Sequence, residues 1–137
     1  MSEVFPPTHE GDTATLAALL AGGLTLRLYT NPVTPDRSLT ARSFTEASFP
    51  GYRAIDLVAS DWSLEEGKGK RLSGAYAAYQ TFRRTASGEP EFIHGWYLTT
   101  AAGRLVHAGG VPDGPWDMRR ATDAVQVQAA LVMPEAA

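Results

Sequence analysis

The residues with the widest chemical reach in this chain are three histidines, His9, His94 and His107. A metal site needs two such ligands close in sequence, or one matched by carboxylates in register. His94 and His107 fall on the two arms of an expected hairpin. With Ala101 to Gly103 as its turn, Thr100 sits opposite Arg104, Tyr97 opposite His107 and His94 opposite Gly110. The two imidazoles are then offset by about three pairs, roughly 10 Å along a strand, and point to opposite faces. They are not expected to share one ion.

The other groups that could do chemistry also lack the context it needs. Glu65 with Glu66, and Glu89 with Glu91, flank stretches rich in Gly, Lys or Pro. A glycosidase sets two carboxylates in a cleft and desolvates one of them. These four read instead as solvated acids, the first pair beside Lys68 and Lys70. Ser73 in "RLSGAY" has no nucleophile elbow around it. The run "GKGKR" has neither the spacing nor the hydroxyl of a phosphate loop. There is no Cys, which excludes a disulfide framework, a thiolate metal site and a Cys nucleophile. The residues therefore assign no catalytic group, no metal and no cofactor, and the chain reads as a non-enzyme.

Charge narrows the partners. The formal net charge is −3, against the basic face that nucleic-acid binding requires. The small basic groups, Lys68-Lys70-Arg71, Arg83-Arg84 and Arg119-Arg120, are expected to be solvated loop and edge charges. No apolar run reaches the ~18 residues of a membrane span. The start, "MSEVFPPTHEGD", lacks the basic region and apolar block of a signal peptide, which predicts a soluble chain. Neither nucleic acid nor membrane is an expected partner.

The elements that must position these groups are short. Pro6 and Pro7 predict an extended N-terminal arm over residues 1–11, ahead of a single β-rich domain over 12–137. Asp12 or Thr13 can cap a helix from Ala14 to Ala21, with Leu16, Leu19 and Leu20 on one face and Gly22-Gly23 ending it. From Leu24 the period becomes two: Leu24, Leu26 and Leu28 alternate with Thr25, Arg27 and Tyr29. "YRAIDLVA", "AYAAYQTFRRT", "FIHGWYLTT", "RLVHAGG" and "AVQVQAALVM" read as further strands. "SLEEGKGKRLSG" reads as a charged hairpin tip. The pattern predicts a mainly β chain, a β-sandwich or jelly roll of one domain with one short N-terminal helix.

Aromatic residues mark the places where this sheet meets something else. Phe44 to Tyr52, "FTEASFPGY", carries three aromatics, one carboxylate and a Pro-Gly pair. In a sandwich, Phe44, Phe49 and Tyr52 would fold the segment over the open end of the core. Pro50-Gly51 would make the turn, and Glu46 would accept nearby backbone N–H groups. Trp96 is expected in the core. Trp62 and Trp116 lie near turns, either as exposed anchors for a protein contact or packed on the sheet end.

The same segment carries a resemblance. Leu26, Leu28, Asn31, Thr34 and Pro35, then Phe44, Thr45, Glu46, Ala47, Phe49, Gly51 and Tyr52, follow an "L-x-L-F-x-N-x-x-T-P … F-T-E-A-x-F-x-G-Y" order, with Tyr29 in place of Phe. Gly95, Tyr97, Thr99 and Gly103 follow a later "G-x-Y-x-T-x-x-x-G" hairpin. This order resembles that of small virion structural proteins of tailed bacteriophages. It covers residues 14–58 well and 92–107 more loosely. The resemblance implies a virion component that contacts the major capsid protein or other virion proteins, and no catalytic residues. The expected role is a capsid cement or decoration protein, acting as a homo-oligomer, with a trimer among the candidate symmetries. The alternatives are a tail, connector or baseplate component, and a small carbohydrate-binding module with Trp62 or Trp116 as its sugar platform.

Overall fold

The computed structural model describes residues 9–66, 72–76, 78–111 and 114–132. They form a mainly β structure with one α-helix and several antiparallel sheets. The helix α1 runs His9–Ala21, so it begins earlier than the expected Ala14. Residues 9–11 are thus helical and not part of an extended arm, while 1–8 lie outside the described residues. The expected face holds: Leu16 and Leu20 are buried and Leu19 packs beside them. Gly23 closes the helix with a φ of 80° and an N–H bond to Leu20 O. Only a residue without Cβ enters that region cheaply.

The strands are β1 Leu24–Tyr29, β2 Ile55–Leu57, β3 Trp62–Glu66, β4 Leu72–Tyr76, β5 Gln80–Arg83, β6 Glu91–Ile93, β7 Gly95–Thr100, β8 Leu105–Gly110, β9 Trp116–Met118, β10 Ala124–Val127 and β11 Ala130–Val132. A four-stranded sheet has the order β2-β1-β7-β8, and a three-stranded one the order β11-β4-β3. Two further pairs, β10-β5 and β6-β9, complete the described sheets. At the two ends of "AYAAYQTFRRT", Tyr76 closes β4 and Gln80–Arg83 forms β5 in another sheet, with Ala78 and Tyr79 in neither strand. The charged hairpin between Trp62 and Tyr76 is also present, but its arms reach further into "SLEEGKGKRLSG" than expected, to Glu66↔Leu72. Its tip lies outside the described residues.

Three expected strands are broken or trimmed. "FIHGWYLTT" bends at His94: Glu91–Ile93 pairs with β9 and Gly95–Thr100 with β1 and β8. "AVQVQAALVM" splits at Gln128-Ala129, although burial still alternates through Val125, Val127, Ala129 and Leu131. Only Ile55–Leu57 of "YRAIDLVA" pairs. The β7–β8 register also differs by one residue from the simple hairpin count. Thr99 faces Leu105 as expected, but a bulge then places His107 opposite Leu98 instead of Tyr97.

The four-stranded sheet buries both faces. On one, Leu24, Leu26, Leu28 and Leu98 join Leu16, Phe49, Phe82, Val125 and Leu131 in the main core. On the other, Tyr29, Phe44 and Tyr97 form a second cluster, packed by Val33, Leu39, Leu105 and Ala108. This explains why the polar face of β1 reads as polar and still is covered: Thr25 and Arg27 are half-buried and Tyr29 is buried.

Candidate functional site

The segment Phe44–Tyr52 is the structural centre of the candidate residues. It runs along β1 beyond the end of the β2 ladder and crosses from one face of the sheet to the other. Glu46 bridges Tyr29, Thr30 N donates to Thr45 O, and Ala47 N donates to Leu28 O at 3.0 Å. Phe44 stays with the second cluster, stacked on Tyr97 at 4.7 Å and edge-on to Tyr29 at 4.8 Å. Phe49 and Tyr52 enter the main core, where Tyr52 stacks on Phe82 at 5.8 Å. The change of face falls between Phe44 and Ala47, which already joins the main core, and Pro50-Gly51 then turns the chain so that Tyr52 follows Phe49 there, with Tyr52 N donating to Phe49 O and Gly51 at a φ of 89°. A Cβ on Gly51 would lie 2.5 Å from the Thr85 methyl, so both conformation and space demand glycine.

A polar chain threads the strap. Arg27 donates to both Glu46 oxygens at 3.1 and 3.0 Å, and its Nε donates to Thr99 Oγ1 at 3.1 Å. Tyr52 donates its hydroxyl to Glu46 Oε2 at 2.6 Å, and the Tyr52 hydroxyl oxygen accepts Leu28 N–H at 3.2 Å. That N–H lies in the gap between the β2 ladder and the Glu46 bridge, so the phenol fills a missing strand partner. Burial, and then the hydrogen bond to Glu46, hold the Tyr52 phenol protonated far above the usual tyrosine range. Burial, and then the Glu46 charge, raise Tyr97 as well.

Glu46 therefore does not play the backbone-accepting role expected of it. Glu91 does: its carboxylate accepts Ser48 N at 2.7 Å, Phe49 N at 3.3 Å and Ser48 Oγ at 3.2 Å. Asn31 holds the other end, accepting Thr45 N at 2.8 Å and donating to Ser43 O at 3.0 Å. Arg27, Glu91 and Thr99 were not picked out as partners of the strap, because no sequence spacing connects them to it. Alternation did place Arg27 on the face of β1 opposite the leucines, the only sequence signal that pointed to it.

The tryptophans separate. Trp62 opens β3 and is buried in the main core, edge-on to Tyr76 at 5.4 Å, so it is no exposed anchor or sugar platform. Its indole N–H has no hydrogen-bond partner among the described residues. Trp116 is half-buried in β9 and lines a groove of about 500 Å3 with Thr81, Arg83 and Gln126. Among the exposed large apolar residues are Val58, Leu64, Tyr79 and Phe92.

His107 is half-buried beside Trp96, and burial lowers its pKa. His94 sits at the bend between β6 and β7. No group of metal-ligating side chains forms among the described residues. Arg84, expected in solvent, is buried: Nε donates to Ala86 O at 2.7 Å, and Nη1 to Glu89 O at 2.9 Å and Met118 O at 2.5 Å. A second cleft, of about 630 Å3, lies between residues Val33–Leu39 and strand β8. No described helix is long and apolar enough to cross a membrane. Comparison with known families, curated proteins and solved structures returns no match to the chain.

Proposed function

We propose that this chain is a structural protein of tailed-bacteriophage virions, a capsid cement or decoration protein that stabilises the shell through protein–protein contacts. One observation carries the reading. The residues that bear the resemblance, Phe44, Glu46, Phe49, Gly51 and Tyr52, are all spent on holding the strap in place. Two carboxylates, Glu46 and Glu91, are tied to this segment as well, which supports a role carried by surface contacts. Its partners are the major capsid protein or other virion proteins, together with further copies of itself. No catalytic residue, metal or cofactor is part of the proposal.

We also assign a β-sandwich arrangement to the sheets. Residues of the four-stranded sheet, Leu26 and Leu98, share one core cluster with Phe82 of β5, Val125 of β10 and Leu131 of β11, which supports two facing layers.

The test is quantitative mass spectrometry of gradient-purified particles. A copy number that scales with the major shell protein supports the cement role. A far smaller number moves the chain to the tail, connector or baseplate. Absence from particles overturns the virion reading and directs attention to the Trp116 groove as a carbohydrate site.

A further inference from the structure

β8 is the longest strand at a sheet edge among the described residues, and its six positions, Leu105–Gly110, hold no charge and no proline. Natural proteins guard such edges, because unpaired N–H and C=O groups template another strand. The opposite edge of the same sheet is guarded: β2 is three residues long with Asp56 at its centre. The bulge in β8 lies at its start, between the Leu105 and His107 pairs, and leaves His107 to Gly110 regular. Val111 N donates to His94 O, so the alternation of an antiparallel ladder turns the N–H and C=O of Ala108 and Gly110 away from β7. Among the described residues no hydrogen bond reaches these outward groups.

We propose that this edge pairs with the same edge of a second copy, antiparallel about a two-fold axis through Ala108. The sequence of the strand is what selects a second copy over a foreign peptide. With Ala108 opposite Ala108 of the other copy, His107 meets Gly109 and Val106 meets Gly110. Each larger side chain faces a residue without one, and the axis falls on a small neutral residue, so no like charges meet there. The cleft of about 630 Å3 runs along all six residues of β8, and its far wall includes Val33, Pro35 and Leu39 beside Asp36 and Arg37. It gives the second copy's Leu105 and Val106 apolar side chains to cover at Val33, Pro35 and Leu39. The contact is small by the standard of stable interfaces, so the dimer is a concentration-dependent one. The inference stands apart from the virion reading, since it concerns the isolated protein and needs no particle.

The experiment is sedimentation equilibrium of the full chain from sub-micromolar to high-micromolar concentration, with amide hydrogen exchange at both ends of the range. The expected result is a mass that doubles with concentration, and protection at Ala108 and Gly110 that rises with it. Ala108→Pro removes an outward N–H that no intrachain bond uses, and Val106→Lys places charge on the edge; each is expected to weaken association at least tenfold with the circular dichroism spectrum retained. If one variant fails to fold, the other and the exchange data decide. A wild-type chain that stays monomeric overturns the proposal. So does a trimer, a dimer unaffected by both substitutions, or protection at Ala108 that ignores concentration.

Discussion

At the residue scale, the informative side chain is Tyr52. Its ring is core and its hydroxyl is backbone chemistry, because it accepts the Leu28 N–H that the β2 ladder leaves over and donates to Glu46. Tyr52→Phe keeps the ring stacked on Phe82 and leaves a half-buried N–H and a carboxylate oxygen short of one partner each. We expect a loss of about 1–3 kcal/mol in urea unfolding, with the slope unchanged. Tyr29→Phe is the matched control. Its hydroxyl reaches only Gly109 O, at 3.4 Å, so removing it is expected to cost under about 1 kcal/mol. Equal losses in the two variants would show that the Tyr52 hydroxyl has no special place in the strap. The aromatic character of this segment was legible in the sequence, and so was its Pro-Gly turn. The identity of its polar partners was not. Arg27 and Glu46 are nineteen residues apart and meet only because the strap lies along β1.

At the element scale, the period-two pattern located β1, β7 and most of the paired strands, although β7 buries four of its six residues because a core cluster lies on each face of its sheet. It did not show where a strand leaves one sheet for another. Phe92 to Thr100 reads as one strand in the sequence, yet the chain bends at His94 and exchanges β9 for β1 and β8 as its partner. Periodicity records burial, and burial continues through the bend. Composition assigned Arg84 to solvent, whereas alternation from the buried Phe82 two residues earlier puts it on the core side. Its guanidinium instead joins the end of β5 to the Ala86–Glu89 loop and to β9 through three backbone carbonyls. Lysine has charge but no fork to span them. Arg84→Lys is expected to cost about 2–4 kcal/mol. Hydrogen exchange should speed up first at β6 and β9, while β1 and β7 stay protected. Uniform acceleration across all strands would mean that Arg84 stabilises the whole molecule and not this one junction.

At the scale of the whole molecule, the buried titratable groups set the pH range over which the fold is stable. Tyr29, Tyr52 and Tyr97 all have their pKa raised, in each case chiefly by burial. The unfolded chain releases these protons near pH ~10 while the native one keeps them, so the native state binds more protons there and stability falls as pH rises. At the acid end the sign reverses. Burial lowers the pKa of His107, so the unfolded chain takes up that proton first, and stability falls as pH drops below about 6.5. Asp36 and Asp123, lowered mainly by the backbone N–H groups they accept, extend the decline below about pH 4. Urea midpoints followed across pH should therefore show a plateau between about pH 6.5 and about pH 10, with a fall on either side. The alkaline fall tests the strap directly: Tyr52→Phe removes the phenol that burial and Glu46 shift furthest, so the variant starts less stable but loses less between about pH 9 and about pH 11 than the wild type. Parallel alkaline limbs in the two proteins would place the titrating tyrosines elsewhere and would remove Tyr52 from the account of what holds the two faces of the sheet together.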